Sequence, residues 1–312
     1  MPRPSVQAPR SVVMIRPHHF RPNPDTAADN RFQRDSDSAQ DALARAAYGE
    51  VTEAARQLEQ AGITVHLFED TGTETPDSVF PNNWFSTHSG GHVAIYPMFA
   101  PSRRKERRSD VIEMLKHRYR VQDVIDYSGL EQDNLFLEGT GAMVLDHLDR
   151  VAYAARSNRT NEVAMERFCT HFNFEPMVFD AVDADGTPVY HTNVLMCVGS
   201  DISLVGLDCI RDAQRRAEIA DRLTAGGRAL IDLSHDQIAD FAGNAIELQG
   251  THGRVLALSA RAAASLTKSQ KARLERHVTL LPLSVPTIEL AGGSVRCMLA
   301  GIHLAPRPGT AA

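Results

Sequence analysis

The stretch AMVLDHLDRVAYAARSNRTNEVAMERFCTHFNFEPMVFD, residues 142–180, contains four segments with clear periodicities. Two short apolar runs, residues 142–146 and 151–155, are separated by a polar turn, which is typical of a pair of antiparallel strands. Residues 161–173 then place apolar side chains three and four positions apart, as on one face of a helix. A further apolar run, residues 176–180, follows. The pattern predicts two strands, a helix and a third strand.

The same order of elements recurs about five times, in units of roughly 60 residues, a period at which repeat architectures are expected. Amphipathic periodicity predicts helices over residues 38–62, 110–119, 161–173, 212–227 and 260–277. Short apolar runs predict strands over residues 12–15, 64–68, 92–97, 142–146, 151–155, 176–180, 193–199, 202–207, 229–233, 245–249, 255–259 and 278–283. Strand pairs joined by short turns indicate antiparallel ladders mixed with parallel ones.

No linker divides the chain, so we expect one α/β domain over residues 1–312. Residues 18–38 are polar and contain prolines, which predicts a long loop near the front of the domain. Loops of that length are usually functional or disordered. The last residues, 306–312, are expected to be frayed.

Composition excludes several classes of function. The formal net charge of −6 disfavours general nucleic-acid binding, which requires a basic face. No apolar run approaches the length of a membrane span, and the N-terminal residues do not resemble a secretory signal. The four cysteines form no CxxC pair and the 13 histidines are scattered, so we expect a reducing cytoplasm and no metal. Neither a dinucleotide fingerprint nor a P-loop occurs, and we expect no cofactor.

Cys297 lies in GGSVRCMLAGIHL, residues 292–304, after a glycine turn and at the start of an apolar run. A free cysteine is usually a buried small hydrophobe, but a cysteine with a distant histidine also fits a thiol nucleophile. His191 immediately precedes a long apolar run, and Glu138 lies between an apolar run and two glycines. From the residues alone, these three side chains make the chain a candidate cysteine-dependent enzyme.

Polar side chains suited to binding an amino acid occur in two other segments. Arg156 and Arg159 precede the helix predicted over residues 161–173. Arginine binds a carboxylate through two parallel hydrogen bonds, although an arginine at a helix start is also commonly just solvated. Asn82 and Asn83, in PDSVFPNNWFSTH, by themselves favour a turn.

Six segments, taken in order, resemble the guanidine-modifying, or pentein, superfamily, which includes arginine deiminases, dimethylarginine hydrolases, peptidylarginine deiminases and amidinotransferases. They are PDxVF near residue 80, xLEGTG at 136–141, xRTN at 158–161, HxN at 191–193, GN at 243–244 and GGSVRC at 292–297. Each is weak by itself, whereas six in the expected order are specific. The resemblance implies a five-fold pseudosymmetric α/β propeller of ββαβ modules, which agrees with the recurrence above.

The resemblance also implies roles for individual residues. Cys297 resembles the nucleophile, His191 the general acid/base and Glu138 the carboxylate that partners the histidine. Arg159 resembles the arginine that holds the substrate carboxylate. Asn244 lies near a family asparagine and could orient part of the site.

The chain departs from the deiminases where they hold a guanidinium cation with carboxylates, because the corresponding positions are Asn82, Asn83 and Asn193. A buried cation without an opposite charge is costly, whereas an amide offers both a donor and an acceptor. Such a site suits a neutral ureido group. The sequence is therefore most similar to the citrulline-hydrolysing branch, whose products would be ornithine, ammonia and carbon dioxide.

Alternatives remain open at this stage. On the same fold, the substrate could be arginine or dimethylarginine, or the reaction could be amidino transfer, with Asp77 or Glu74 supplying a carboxylate. A non-catalytic propeller that serves as a scaffold would not need Cys297, His191 and Glu138 together. We expect a small-molecule substrate and neither a nucleic-acid nor a membrane partner, while the sequence leaves a homodimer open.

The remaining cysteines and one basic run are expected to have structural roles. Cys169, Cys197 and Cys209 are expected to be core residues. The basic run over residues 103–108 is expected to be a solvated helix face.

Overall fold

The computed structural model describes residues 7–28, 30–34 and 39–309. Within these residues the chain forms fifteen strands: β1 (Ser11–Pro17), β2 (Thr64–Asp70), β3 (Phe85–His88), β4 (His92–Ile95), β5 (Asp123–Asp126), β6 (Met143–Asp146), β7 (Val151–Ala155), β8 (Glu175–Phe179), β9 (Met196–Val198), β10 (Ile202–Val205), β11 (Ala229–Asp232), β12 (Ile246–Gly250), β13 (Gly253–Ser259), β14 (Thr279–Leu283) and β15 (Ala300–Gly301).

The same residues form ten α-helices: α1 (Gln40–Gln60), α2 (Pro101–Arg104), α3 (Ser109–Arg118), α4 (Gly139–Ala142), α5 (Glu162–Phe172), α6 (Ala213–Thr224), α7 (His235–Ala239), α8 (Ala260–Ser265), α9 (Lys268–Leu274) and α10 (Val295–Met298). The helix predicted over residues 260–277 is therefore two helices. Leu266 is extended, and Thr267 begins α9 with a capping box to Gln270. Strands β3, β5 and β15 were not predicted, because β3 (FSTH) and β5 (DVID) form no apolar run and β15 has only two residues.

The strands form five three-stranded sheets, which we call modules: module 1 (β15, β1, β2), module 2 (β3–β5), module 3 (β6–β8), module 4 (β9–β11) and module 5 (β12–β14). In each module the first strand pairs antiparallel with the second, and the second pairs parallel with the third. A parallel pair needs a crossover, which the helices between second and third strands supply. The expected five-fold pseudosymmetric α/β propeller is confirmed.

Module 1 joins the two ends of the chain. Its first strand, β15, comes from the C-terminus and pairs with β1, with Val12 opposite Gly301 and Val13 opposite Ala300. The first strands of all five modules line one axial cavity. The ring of modules is thus closed by backbone hydrogen bonds between the first and last strands of the chain.

The hydrophobic core lies between the sheets and the helices packed on their outer faces. Helix α1 shows the pattern, since its buried side chains recur three and four positions apart. These are Leu43, Ala44, Ala47, Val51, Ala54, Ala55 and Leu58. Helix α1 ends before Gly62, whose φ of 86° lies in the left-handed region that glycine tolerates.

The C-terminal tail and the long loop after β1 are each described only in part. The predicted frayed tail is wrong at its start, because Pro306 bridges to Tyr119 and the Arg307 backbone N–H donates to the Arg118 carbonyl. Residues 310–312 lie outside the described residues, as do residues 29 and 35–38 of the predicted long loop. The described part of that loop contains the single 3-10 turn Pro24–Thr26 and an isolated β-bridge between Gln33 and Ala291.

Gly243 provides a test of how tightly the modules approach each other. A Cβ there would lie 2.6 Å from the Val194 carbonyl oxygen, at the start of the neighbouring module. We expect Gly243→Ala to lower the free energy of unfolding by about 2 kcal/mol, because the backbone must move to admit a methyl group. Urea denaturation would measure the change.

Gly49→Ala is the matched control, because Gly49 lies on the exposed face of α1 with nothing within 4 Å of an added Cβ. This variant should gain about 0.5 to 1 kcal/mol, since alanine is the better helix former. Equal effects of the two substitutions would contradict the close approach at Gly243.

Candidate active site

The predicted site residues lie on or beside short turns that precede the first strands of the modules. We call these the leading turns: Pro81–Asn83 before β3, Gly139–Ala142 before β6, Thr192–Val194 before β9 and Val295–Met298 before β15. In module 5, Asn244 occupies the turn before β12. Because the first strands surround one axis, the five turns converge at one end of it.

Cys297 lies in the leading turn of module 1 and is buried. Its Sγ accepts hydrogen bonds from the Nδ2 atoms of Asn193 and Asn244, each at 3.3 Å. Asn244 is itself held, because its Nδ2 also donates to the Asn193 carbonyl and its Oδ1 accepts from the Arg296 backbone N–H. The sulfur is therefore held between two side-chain amide donors.

His191 and Glu138 form a buried pair, with 2.8 Å between His191 Nε2 and Glu138 Oε2. Burial lowers the pKa of His191 to about 4, against the hydrogen bond and charge of Glu138. Burial raises the pKa of Glu138, but Arg159, the His191 hydrogen bond and Arg103 outweigh it, so the pKa lies well below its usual range. The pair is therefore a neutral imidazole oriented by an ionised carboxylate at neutral pH.

Arg159 is buried beside the same carboxylate, with its Nη1 3.5 Å from Glu138 Oε2. Its guanidinium lies 4.9 Å above the Tyr190 ring, a cation–π arrangement. Arg156, the other arginine of that segment, is exposed and pairs with Glu162. Of the two arginines, the structure places only Arg159 at the site.

Arg103 contradicts the prediction of a solvated helix face for the basic run. It is 2% exposed, and its Nη2 donates to the Asn83 Oδ1 atom at 3.0 Å. It also donates to Glu106 and lies 3.4 Å from Glu138 Oε2. The error has a physical cause: α2 is a single turn inserted beneath the site, and burial of one turn leaves no periodic signal in the sequence.

Asp77 and Glu106 are buried carboxylates on the other side of Arg103. Asp77 Oδ2 accepts from Asn23 at 2.8 Å, while its Oδ1 has no hydrogen-bond partner among the described residues. Burial raises the pKa of Asp77, and raises that of Glu106 to about 8, in both cases against the charge of Arg103. The site thus combines amides that contact the thiol with buried charged side chains.

The two asparagines of the PNN turn, Asn82 and Asn83, have different surroundings. Asn83 lines the cavity, and its Nδ2 has no partner among the described residues. Asn82 is fully buried, its side-chain amide has no partner there either, and it does not line the cavity. Asn82 instead supplies its carbonyl oxygen, which accepts from Thr140 Oγ1 at 3.2 Å.

One cavity, which we call the Cys297 cavity, joins most of these groups. Its lining residues are Asn30, Asp77, Phe80, Asn83, Arg103, Arg159, Tyr190, His191, Ala291, Gly293 and Cys297. The loop after β1 borders it, since Asn30 Nδ2 donates to the Ala291 carbonyl and Phe32 packs on Tyr190. Within the described residues no group of three or more His, Cys, Asp or Glu side chains is placed to hold a metal ion.

Sequence reasoning missed Arg103, Tyr190 and Asn30 as lining residues, and it named Asp77 only as an alternative source of a carboxylate. The sequence does contain a signal for the leading turns, which is the spacing between their polar residues. Glu138 and His191 are 53 residues apart, and so are Asn244 and Cys297. Polar residues at one repeat interval indicate equivalent positions in successive modules.

Comparison with known proteins gives one family and a set of similar folds. Residues 16–304 match the family described as N,N-dimethylarginine dimethylhydrolase, eukaryotic. None of the curated proteins matches the sequence significantly. The N-terminal domain of ArgZ, an arginine dihydrolase from the ornithine–ammonia cycle in cyanobacteria, solved with bound substrate, has a TM-score of 0.73 at 17% identity over 94% of this chain and 97% of that chain.

Two other solved structures extend the comparison. AgrE with ornithine and NAD+ has a TM-score of 0.73 at 16% identity, over 96% of this chain and 40% of AgrE. The dimethylarginine hydrolase DDAH from Pseudomonas aeruginosa, in complex with citrulline, has a TM-score of 0.63 at 14% identity, over 95% of this chain and all of that one. At such identities the likeness shows the pentein fold.

Replacing Glu138 tests the buried charge network. We expect Glu138→Gln to lower the free energy of unfolding by about 3 to 5 kcal/mol, because it leaves Arg103 and Arg159 without their shared carboxylate. The control Glu162→Gln removes an exposed partner of Arg156 and should cost no more than about 0.5 kcal/mol. Similar losses in the two variants, measured by denaturant unfolding, would contradict the network.

The depressed pKa of His191 predicts a pH dependence of stability. Between about pH 6.5 and 4 the unfolded chain binds a proton at His191 that the folded protein does not, so stability falls as the pH falls through this window. The difference corresponds to about 3 kcal/mol. His191→Gln should lose correspondingly less stability from pH 6.5 to 4 than the original protein, and parallel stability–pH curves would exclude the depressed pKa.

Proposed function

The chain belongs to the N,N-dimethylarginine dimethylhydrolase family, pentein hydrolases that cleave carbon–nitrogen bonds of guanidino compounds, and from this premise we propose that it hydrolyses the ureido group of citrulline. The observation that carries the proposal is the set of amides around the thiol. Asn193 and Asn244 donate to the Cys297 sulfur, and Asn83, whose Nδ2 has no partner among the described residues, lines the Cys297 cavity. A neutral carbonyl and NH2 group can be satisfied by such groups.

The charged residues of the cavity lining fit the head group of a free amino acid. Arg159 is a buried cation that suits the α-carboxylate. Asp77 lines the same cavity, and its Oδ1, which has no partner among the described residues, suits the α-ammonium group. Glu138 is already shared by Arg103, Arg159 and His191, so it is not available to a substrate cation.

In the proposed reaction the Cys297 sulfur attacks the ureido carbon, forming a C–S bond. His191 is neutral, so it can take the thiol proton and pass it to the side-chain nitrogen as the C–N bond breaks and ornithine leaves. Water, deprotonated by His191, then cleaves the S-carbamoyl adduct to carbamic acid and the free thiol. Carbamic acid decomposes to ammonia and carbon dioxide, which balances the reaction with one water consumed. Glu138 keeps the imidazole oriented throughout.

Arginine or dimethylarginine is the second candidate substrate. The observation in its favour is Asp77, a buried carboxylate with one free oxygen in the cavity that could face a guanidinium. ArgZ, with a similar fold, is an arginine dihydrolase. Incubation of the purified protein with citrulline, arginine and dimethylarginine separately, with quantification of ornithine, ammonia, citrulline and dimethylamine, distinguishes the candidates. Ornithine from citrulline alone supports the proposal, and turnover of a guanidino substrate but not of citrulline rejects it.

Changing the charge beside the thiol tests why citrulline is preferred. We expect Asn193→Asp to lower kcat/KM for citrulline by about 100-fold, because a donor to the sulfur becomes a repelling carboxylate. The same change should allow measurable turnover of arginine, whose cation the new carboxylate can pair.

Asn161→Asp is the matched control, since Asn161 caps α5 outside the cavity and aspartate caps helices equally well. It should leave both activities unchanged. If Asn193→Asp kept or improved the citrulline rate and gained no arginine activity, charge matching would not explain the substrate preference.

A further inference from the structure

Arg103 determines which way the side-chain amide of Asn83 points. The Nη2 atom of Arg103 donates to Asn83 Oδ1 at 3.0 Å, and both side chains are buried. A guanidinium has five N–H donors and no acceptor, so it can pair only with the oxygen of an amide. The free end of the Asn83 side chain is therefore the Nδ2 group, which is a donor and not an acceptor.

Acidic side chains hold Arg103 in this orientation. Its Nε and Nη2 atoms donate to the two carboxyl oxygens of Glu106 at 2.9 and 3.0 Å. Its Nη1 lies 3.4 Å from Glu138 Oε2, and its Nε lies 3.6 Å from Asp77 Oδ2. Because the guanidinium is planar and held at several atoms, it cannot turn to suit Asn83. Reversal of the Asn83 amide would instead set its NH2 group against the guanidinium, donor against donor.

The free Asn83 Nδ2 lies beside His191. A Cβ added to Gly141 would be 2.1 Å from Asn83 Nδ2 and 2.9 Å from His191 Nδ1. Nδ1 is the ring nitrogen that remains free, because His191 Nε2 pairs with Glu138. Asn83, His191 and Cys297 line one cavity, and Asn83 Nδ2 has no partner among the described residues. A substrate group held between the imidazole and the thiol is thus placed near an unpaired N–H donor.

The two candidate substrates differ in what they offer to this donor. The ureido group of citrulline has a carbonyl oxygen that accepts a hydrogen bond. The guanidinium of arginine has only N–H donors and a positive charge, so it leaves the Asn83 N–H unpaired. A buried donor without a partner is costly, and a site built around such a donor rejects ligands that lack the acceptor.

We propose that Arg103 is a specificity-determining residue, which selects a substrate tip with a carbonyl acceptor by fixing Asn83 as a donor. The role assigned to Arg103 rests on the proposed hydrolysis of citrulline and names the residue that sets its substrate preference. Arg103 acts through Asn83 and is therefore a positioning residue. A direct contact of Arg103 with the α-carboxylate would strengthen citrulline and arginine binding equally, because both ligands carry that group.

The test measures binding, so it does not depend on turnover. Every protein carries Cys297→Ser, which removes the nucleophile, and titration calorimetry gives the Kd values of citrulline and arginine. The readout is the ratio of the two Kd values, which a general loss of stability or of carboxylate binding would not change. We expect the protein with Cys297→Ser alone to prefer citrulline by about 100-fold, because arginine leaves a buried donor unpaired.

A double-substitution cycle isolates the action of Arg103 on Asn83. Arg103→Lys keeps a cation beside the carboxyl groups, but an ammonium lacks the planar fork that reaches Glu106 and Asn83 together. We expect this change to lower the preference for citrulline by about tenfold. When Asn83→Ala is also present, Arg103→Lys should leave the ratio unchanged. Lys105→Gln, which removes an exposed partner of Glu74, should behave like the protein with Cys297→Ser alone.

Three results would overturn the role of Arg103. They are an unchanged ratio in Arg103→Lys, an equal fall of the ratio with and without the Asn83 amide, and no preference for citrulline in the protein with Cys297→Ser alone. Only the last result also rejects the proposed function. Should Arg103→Lys not fold, Asn83→Asp decides, since it replaces the donor with a carboxylate oxygen. A preference reversed toward arginine supports the proposal, and a retained preference for citrulline overturns it.

Discussion

Glu138 is shared by three buried side chains, Arg103, Arg159 and His191, which reach it from modules 2, 3 and 4. A buried carboxylate persists in the folded protein only when cations and donors surround it, and removal of one partner leaves the others uncompensated. The position of the histidine therefore depends on arginines that do not touch the thiol. The same charges depress the pKa of Glu138, which keeps it an acceptor for His191 over the physiological range.

The active site also depends on the closure of the propeller. Pairing of β15 with β1 brings the C-terminal leading turn, and Cys297 with it, to the axis where the other leading turns already meet. The leading turns contribute amides, a carboxylate, an imidazole and a thiol. A repeated scaffold thus produces an asymmetric site, because the side chains of the leading turns differ from module to module. Within the described residues no helix is both long and apolar enough to cross a membrane.

The site combines neutral and charged polar groups. Asn193 and Asn244 donate to the Cys297 sulfur, and the charged groups Asp77, Arg103 and Arg159 line the Cys297 cavity. An amino acid with a neutral side-chain tip and a charged head group, as proposed, needs partners of both kinds. The amide positions alone therefore gave an incomplete description of the site, because the sequence argument treated Asp77 only as an alternative source of a carboxylate.

The amino-acid sequence was sufficient for the architecture, because apolar strands and amphipathic helices leave periodic patterns, and because five repeats of one pattern have few ways to pack. The motifs that resemble the pentein superfamily also pointed to Cys297, His191, Glu138, Arg159, Asn193 and Asn244. Tertiary structure alone decided which neighbours line the cavity: Asn83 rather than Asn82, and Arg103 as the one fully buried basic residue of the run over residues 103–108. The reason is that one-turn elements such as α2 and the PNN turn carry no periodicity, so the direction of their side chains is set by the modules packed around them.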